Sequence, residues 1–173
     1  EKNMFKDTIN LTLYQEDALK TALYPNMGNN IEYTVIALLE ESIEVLEKIE
    51  FFETKEAIAK EIGDMLWYTA MIFYEFKKPF IFNKKQIYMT PLKFIIKTGK
   101  LASILKKTLR DDDQKFTIEN EIEFFLIIDE LLSFVTNIAD QIGYTIEDIC
   151  KMNIDKINDR IKRGKLNGSE DNR

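Results

Sequence analysis

The chain has 173 residues, 45% of them hydrophobic, which is enough for one substantial core, and its formal net charge of -6 argues against non-specific nucleic-acid binding by the whole surface. It contains no histidine, so every mechanism built on an imidazole base or ligand is excluded, and its single cysteine, Cys150, has no internal disulfide partner, which fits a reducing cytoplasm. No apolar run reaches the roughly 18 residues of a membrane span, and the amino terminus lacks a basic-then-apolar leader.

Apolar residues recur at helical spacing in five or six segments and never in sustained alternation, so the expected fold is an all-α bundle of about five or six helices. The first helix is expected from Leu13 to Leu23, stopping before Pro25, the second from Ile31 to Phe52, and the third from Lys55 to Phe76. The stretch KKPFIFNKKQIYMT reads as a connection. A fourth helix opens at Thr90 with Pro91 as its first residue and runs to Leu109. After the acidic break DDDQK, a fifth covers Ile118 to Ile142 and is closed by Gly143. Thr145 then caps a sixth, with Asp148 completing an approximate capping box, and residues 161–173 form a basic, polar tail.

The chemistry concentrates on the second and third helices. The second carries an apolar stripe of Val35, Leu38, Leu39, Ser42, Val45, Leu46 and Ile49, with Glu41, Glu44 and Lys48 on the opposite side. Taken alone, that side reads as a solvated face with an ordinary Glu44–Lys48 pair. The third helix changes the reading: Glu61, Asp64, Tyr68 and Met71 share a stripe flanked by Met65, Leu66, Trp67, Ile72 and Phe73, which leave little of the helix for water. Burying an unpaired carboxylate costs several kcal/mol or protonates it, so Asp64 needs a positive partner, and no neighbour in sequence supplies one. Two helices that each aim a pair of carboxylates at one point suit a hard divalent cation, Mg2+ or Mn2+. Such a cluster binds substrate phosphates and activates water for in-line attack on phosphorus, with Glu40 or Glu41 accepting the proton. Lys156, Arg160, Lys162, Arg163 and Lys165 are candidate cations for a triphosphate; the alternative is a helix-end charge cluster that complements the macrodipole.

The segment VIALLEESIEVLEK can be laid over KFIIKTGKLASILKK, which sets Glu41 above Lys97 and Glu44 above Lys100. Continuing into the next helix of each half places Ile127 opposite Glu61 and Glu130 opposite Asp64. The expectation is one domain over 1–173 made of two related hairpins packed as a pseudo-dimer. The first repeat, about 8–80, keeps the acidic site, and the second, about 90–160, is degenerate. The competing explanation is that any two amphipathic helical pairs align this well.

With its ExxE and ExxD pairs (Glu41 with Glu44, Glu61 with Asp64), the preceding Glu40, the opening YQEDALKTALYP, the core word GDMLWY and the closing NIDKINDRIKRGKLNGSEDNR, the chain resembles the MazG-like all-α nucleoside triphosphate pyrophosphohydrolases, relatives of dimeric dUTPases and dCTP-cleaving enzymes. The resemblance implies Mg2+-dependent hydrolysis of a (deoxy)nucleoside triphosphate to the monophosphate and pyrophosphate. It implies metal ligation by Glu41, Glu44, Glu61 and Asp64, sugar packing by Tyr68, and phosphate contacts from Asn153, Lys156 and Arg160. Lys48 and Arg163 are counted with the substrate-binding residues, and the resemblance extends over the terminal Asp171, Asn172 and Arg173 without assigning them a particular role. A homodimer or larger homo-oligomer is expected, with no nucleic-acid or membrane partner. The alternatives are a dUTP- or dCTP-specific pyrophosphatase and a non-catalytic, nucleotide-binding helical regulator.

Overall fold

Each periodic segment forms a helix, and the side chains at the breaks explain where the helices stop. The computed structural model describes residues 8–111, 113 and 115–164. In chain order these form β1 (Thr8–Asn10), α1 (Thr12–Leu19), α2 (Ile31–Glu50), α3 (Lys55–Glu75), β2 (Ile81–Asn83), α4 (Pro91–Asp111), α5 (Ile118–Ile142) and α6 (Ile146–Lys162). Asn30, Thr54 and Thr117 cap α2, α3 and α5 by accepting from the backbone N–H three residues on. Thr145 and Asp148 form a reciprocal capping box at α6, and Gly143, with φ of 89°, closes α5 in the left-handed conformation.

Helix α2 packs against α3 and α4, α5 contacts both α3 and α4, and the four close into a ring. Helices α1 and α6 lie together on α3. The fully buried Phe80, Phe82, Phe94, Phe124, Leu38, Ile62 and Leu66 fill the interior. At the ring's aromatic end Phe73, Phe76, Phe116, Phe124 and Phe125 meet mostly edge to face, the arrangement their ring quadrupoles favour.

Two features differ from the sequence expectation. Helix α1 ends at Leu19 rather than Leu23, where both the backbone N–H and the hydroxyl of Thr21 donate to the Ala18 carbonyl and tighten the last turn. The fold is also not purely helical: β1 and β2 pair antiparallel, with Ile9 opposite Phe82. Three residues per strand are too few for alternation to register in a sequence. Buried Gln15 secures this clip, donating to the Ala70 and Lys78 carbonyls at 3.2 and 3.1 Å and accepting from the Phe80 N–H at 3.0 Å. These bonds tie α1 to the body of α3 at Ala70 and to the α3–β2 connection at Lys78 and Phe80. No helix among the described residues is long and apolar enough to cross a membrane.

Candidate metal centre

The α2–α3 hairpin turns at Phe51–Thr54, so Glu41 on α2 and Glu61 and Asp64 on α3, at similar distances from the turn, face one another. A carboxylate oxygen from each lies within 4.8 Å of those of the other two. Glu61 is 6% exposed, while Glu41 and Asp64 are half-buried. Of the four carboxylates expected to converge, these three do. Glu44 stands outside the group, half-buried one turn along α2, and its charge still acts on Glu41. Glu40 is exposed.

The sequence offered no cation for Asp64, and the fold corrects this by bringing in two lysines. Lys156, from α6, forms a very short ion pair with Asp64 Oδ2, and Lys48, from the same hairpin, lies 3.5 Å from Glu61 Oε1. Asp64 is therefore compensated without a metal, and the carboxylate with an unmet need for a cation is Glu41. Its Oε2 is buried without a hydrogen-bond partner. Desolvation, reinforced by Asp64, Glu44 and Glu61, pushes the Glu41 carboxyl up to about 9. A buried carboxylate oxygen with no donor, beside two other carboxylates and with no nitrogen or sulfur ligand, fits a hard divalent cation.

Helix α6 presents Asn153, Lys156 and Arg160 at helical spacing along one side. Asn153 is 3% exposed and donates through Nδ2 to Asp64 Oδ1 at 2.9 Å. That bond ties it to an acidic ligand candidate; a phosphate contact is what the resemblance implies for the same residue. Arg160 is half-buried one turn beyond Lys156. Arg163 is exposed at the end of α6, with Nε 2.7 Å from Asp159 Oδ2, a surface pair of the modest kind. Lys165, Asp171, Asn172 and Arg173 lie outside the described residues.

Tyr68 is half-buried next to the acids, edge-on to Trp67 and Tyr33 at ring separations of 5.0 and 6.2 Å. Burial first, then Tyr33, Glu41 and Asp64, holds its hydroxyl protonated well above the usual phenol range. Trp67 is pinned through Nε1 to Thr21 at 3.1 Å.

Two residues at this site escaped the sequence reading. Buried Tyr14 of α1 donates to Asn153 Oδ1 at 2.9 Å. Gly63 makes room for the same amide, because a Cβ there would lie 3.1 Å from Asn153 Cβ. The available signals were a small residue inside the apolar word IGDML and a Tyr-Gln pair in the first helix, neither of which indicates a partner so distant in sequence.

The geometry defines a helical carboxylate site able to hold a divalent cation, with ammonium groups at its edge. Residues 29–83, which contain all three carboxylates, match the MazG nucleotide pyrophosphohydrolase domain model. Gene 37 protein of Mycobacterium phage L5 is similar to the chain, with 32% identity over 75 residues that cover 43% of this chain and 66% of that protein. The chain thus spans just under two thirds of that relative's length. No solved structure matches the chain.

Proposed function

We propose that the protein is a nucleoside triphosphate pyrophosphohydrolase that splits a (deoxy)nucleoside triphosphate between its α and β phosphates. The buried, unpartnered oxygen of Glu41 inside the matched domain is the observation that carries this reading. Glu41, Glu61 and Asp64 would hold Mg2+, or Mn2+, with Glu44 one turn away as a further ligand. When bound, the cation supplies charge neutralisation at the phosphoryl oxygens and lowers the proton affinity of water.

The chain's own residues provide the rest. Lys48 and Lys156 stand at the edge of the cluster, where their ammonium groups can turn from carboxylate to phosphate oxygens, and Arg160 extends the same row. Arg163, a turn further, meets the outer part of a triphosphate. Asn153 keeps Asp64 oriented. Tyr68 offers a ring face of fixed orientation to the sugar. Water attacks the α-phosphorus, the bond to the bridging oxygen breaks, pyrophosphate leaves, and water-exposed Glu40 takes the proton. With Glu41 assigned to the cation, Glu40 is the better proton acceptor of the two.

The second half is read as a degenerate copy of the first. Lys97 and Glu130, the positions laid over Glu41 and Asp64, meet at 2.5 Å, which supports that register. Exposed Ile36, with Leu39, Leu105 and Leu109 along the α2–α4 face, supports a homo-oligomer, which sedimentation velocity tests. For the activity, the test is incubation with each dNTP and Mg2+ with product identification. Monophosphate and pyrophosphate are expected, and orthophosphate as the first product would contradict the reading.

A further inference from the structure

We infer that Tyr14 is a positioning residue for the cation site: its hydroxyl fixes the Asn153 amide so that Nδ2 is committed to Asp64. This rests on the function proposed above and adds a residue outside the matched segment to it.

Asp64 as a carboxylate only accepts, so the face of the Asn153 amide turned toward it must be the NH2 group. The amide oxygen then points the other way, into a buried position, and needs a donor there. Tyr14 is that donor, at 2.9 Å, and its other contact, the Gly63 carbonyl at 3.5 Å, is at the limit of a hydrogen bond. Burial holds the Tyr14 hydroxyl protonated well above the ordinary phenol range, so it donates throughout the working pH. Three helices meet in one line: α1 supplies the hydroxyl, α6 the amide and α3 the carboxylate. Gly63 completes the seat, since a Cβ there would come 3.1 Å from Asn153 Cβ and 3.3 Å from Nδ2. The amide is thus held by a hydrogen bond on each side, from Tyr14 and to Asp64, in a space that a side chain at position 63 would fill. With Asp64 Oδ1 occupied by Asn153 and Oδ2 by Lys156, the carboxylate plane is set before any cation arrives. Outer-shell partners of this kind typically change metal affinity or activity by ~10–100-fold when removed.

The test is Mn2+ titration of the intact chain, followed by electron paramagnetic resonance, for wild type, Tyr14→Phe and Tyr24→Phe. Tyr24 is the matched control, a buried tyrosine whose hydroxyl is bonded to Glu75 at 2.6 Å rather than to Asn153. Tyr14→Phe is expected to bind Mn2+ ~10–100-fold more weakly, and its activity should return toward the wild-type kcat when Mn2+ is raised. Tyr24→Phe should keep wild-type affinity. A merely structural role would give the two variants the same behaviour. Unchanged Mn2+ affinity in Tyr14→Phe overturns the inference and leaves the proposed function standing, whereas a wild-type chain that binds no Mn2+ overturns both. If Tyr14→Phe does not fold, Gly63→Ala decides: it disturbs the same amide with the hydroxyl intact, and wild-type affinity there overturns the inference.

Discussion

The α2–α3 and α4–α5 hairpins differ in how their partly buried charges are settled. In the first, Glu41, Glu61 and Asp64 share two lysines, and one oxygen of Glu41 is left with no hydrogen-bond partner. In the second, Glu130 Oε2 likewise makes no hydrogen bond but is met by the Lys97 ammonium, and the residue laid over Glu61 in the sequence is the buried, apolar Ile127. An excess of carboxylate over ammonium costs folding energy unless something else arrives, and a matched pair needs nothing more. The clustering of three carboxylates, with one Glu41 oxygen lacking a hydrogen bond, is what separates the first hairpin from the second among the described residues.

The largest effect should come from removing a carboxylate in the unbalanced half. Glu61→Gln or Asp64→Asn is expected to lower pyrophosphate release by more than the ~10–100-fold typical of outer-shell partners, because these side chains would touch the cation themselves. Lys97→Met, in the second hairpin, should leave the rate close to wild type, since Lys97 is paired with Glu130 and belongs to no part of the acidic cluster. Steady-state kinetics with product identification checks both. Equal losses in the two hairpins would erase the contrast.

The next effect is the pH dependence of cation binding. Glu41 is raised from the ordinary carboxylate range to about 9 by burial and by its acidic neighbours, so without a cation the folded protein holds a proton there that the unfolded chain releases near the usual glutamate value. Over that window the native state binds more protons than the unfolded state, and this group's contribution to stability falls as pH rises from about 4.5 to about 9. A cation must displace the same proton, so its affinity should climb with pH and level off above about 9. Calorimetric titration in buffers of different ionisation enthalpy would count the proton released. A flat affinity profile across neutral pH would mean that Glu41 is already ionised in the free protein.

The sequence carried the helices because their caps are local: Thr145 with Asp148, Gly143 after Ile142, and Pro91 at the start of α4 are each readable within a few residues. The three clustered carboxylates were legible for a similar reason, since ExxE and ExxD fix which helix faces carry charge. The partners of those carboxylates were not. Lys156 reaches Asp64 across 92 positions and Tyr14 reaches Asn153 across 139, and which lysine or tyrosine arrives depends on how α1 and α6 lie on α3. The two-stranded clip was hidden for another reason: Ile9 and Phe82 lie in segments too short for any periodicity, and their pairing is fixed by Gln15 in a helix. Glu44 marks the limit in the other direction, because correct spacing along α2 still left it outside the cluster.

The smallest effect belongs to the stability of the balanced half and tests whether Lys97 and Glu130 are only a strut. Their side chains are 29% and 24% exposed, so water partly screens the pair, and its 2.5 Å contact is an ion pair without the direction of a good hydrogen bond. Lys97→Met leaves Glu130 facing a poorly hydrated surround and should cost about 1 kcal/mol after screening. Replacing both, Lys97→Met with Glu130→Leu, removes the stranded charge and should recover most of that loss, because apolar side chains often replace a buried pair at little cost. Urea denaturation of the two single variants and the double variant measures the coupling as a double-mutant cycle. Additive losses would show that the two side chains do not act as a unit. The same cycle on Lys156 and Asp64 should behave differently: removing both takes away one of the three candidate ligands, so added Mg2+ should no longer raise the melting temperature, Glu41 stays without a partner, and the double variant should stay inactive.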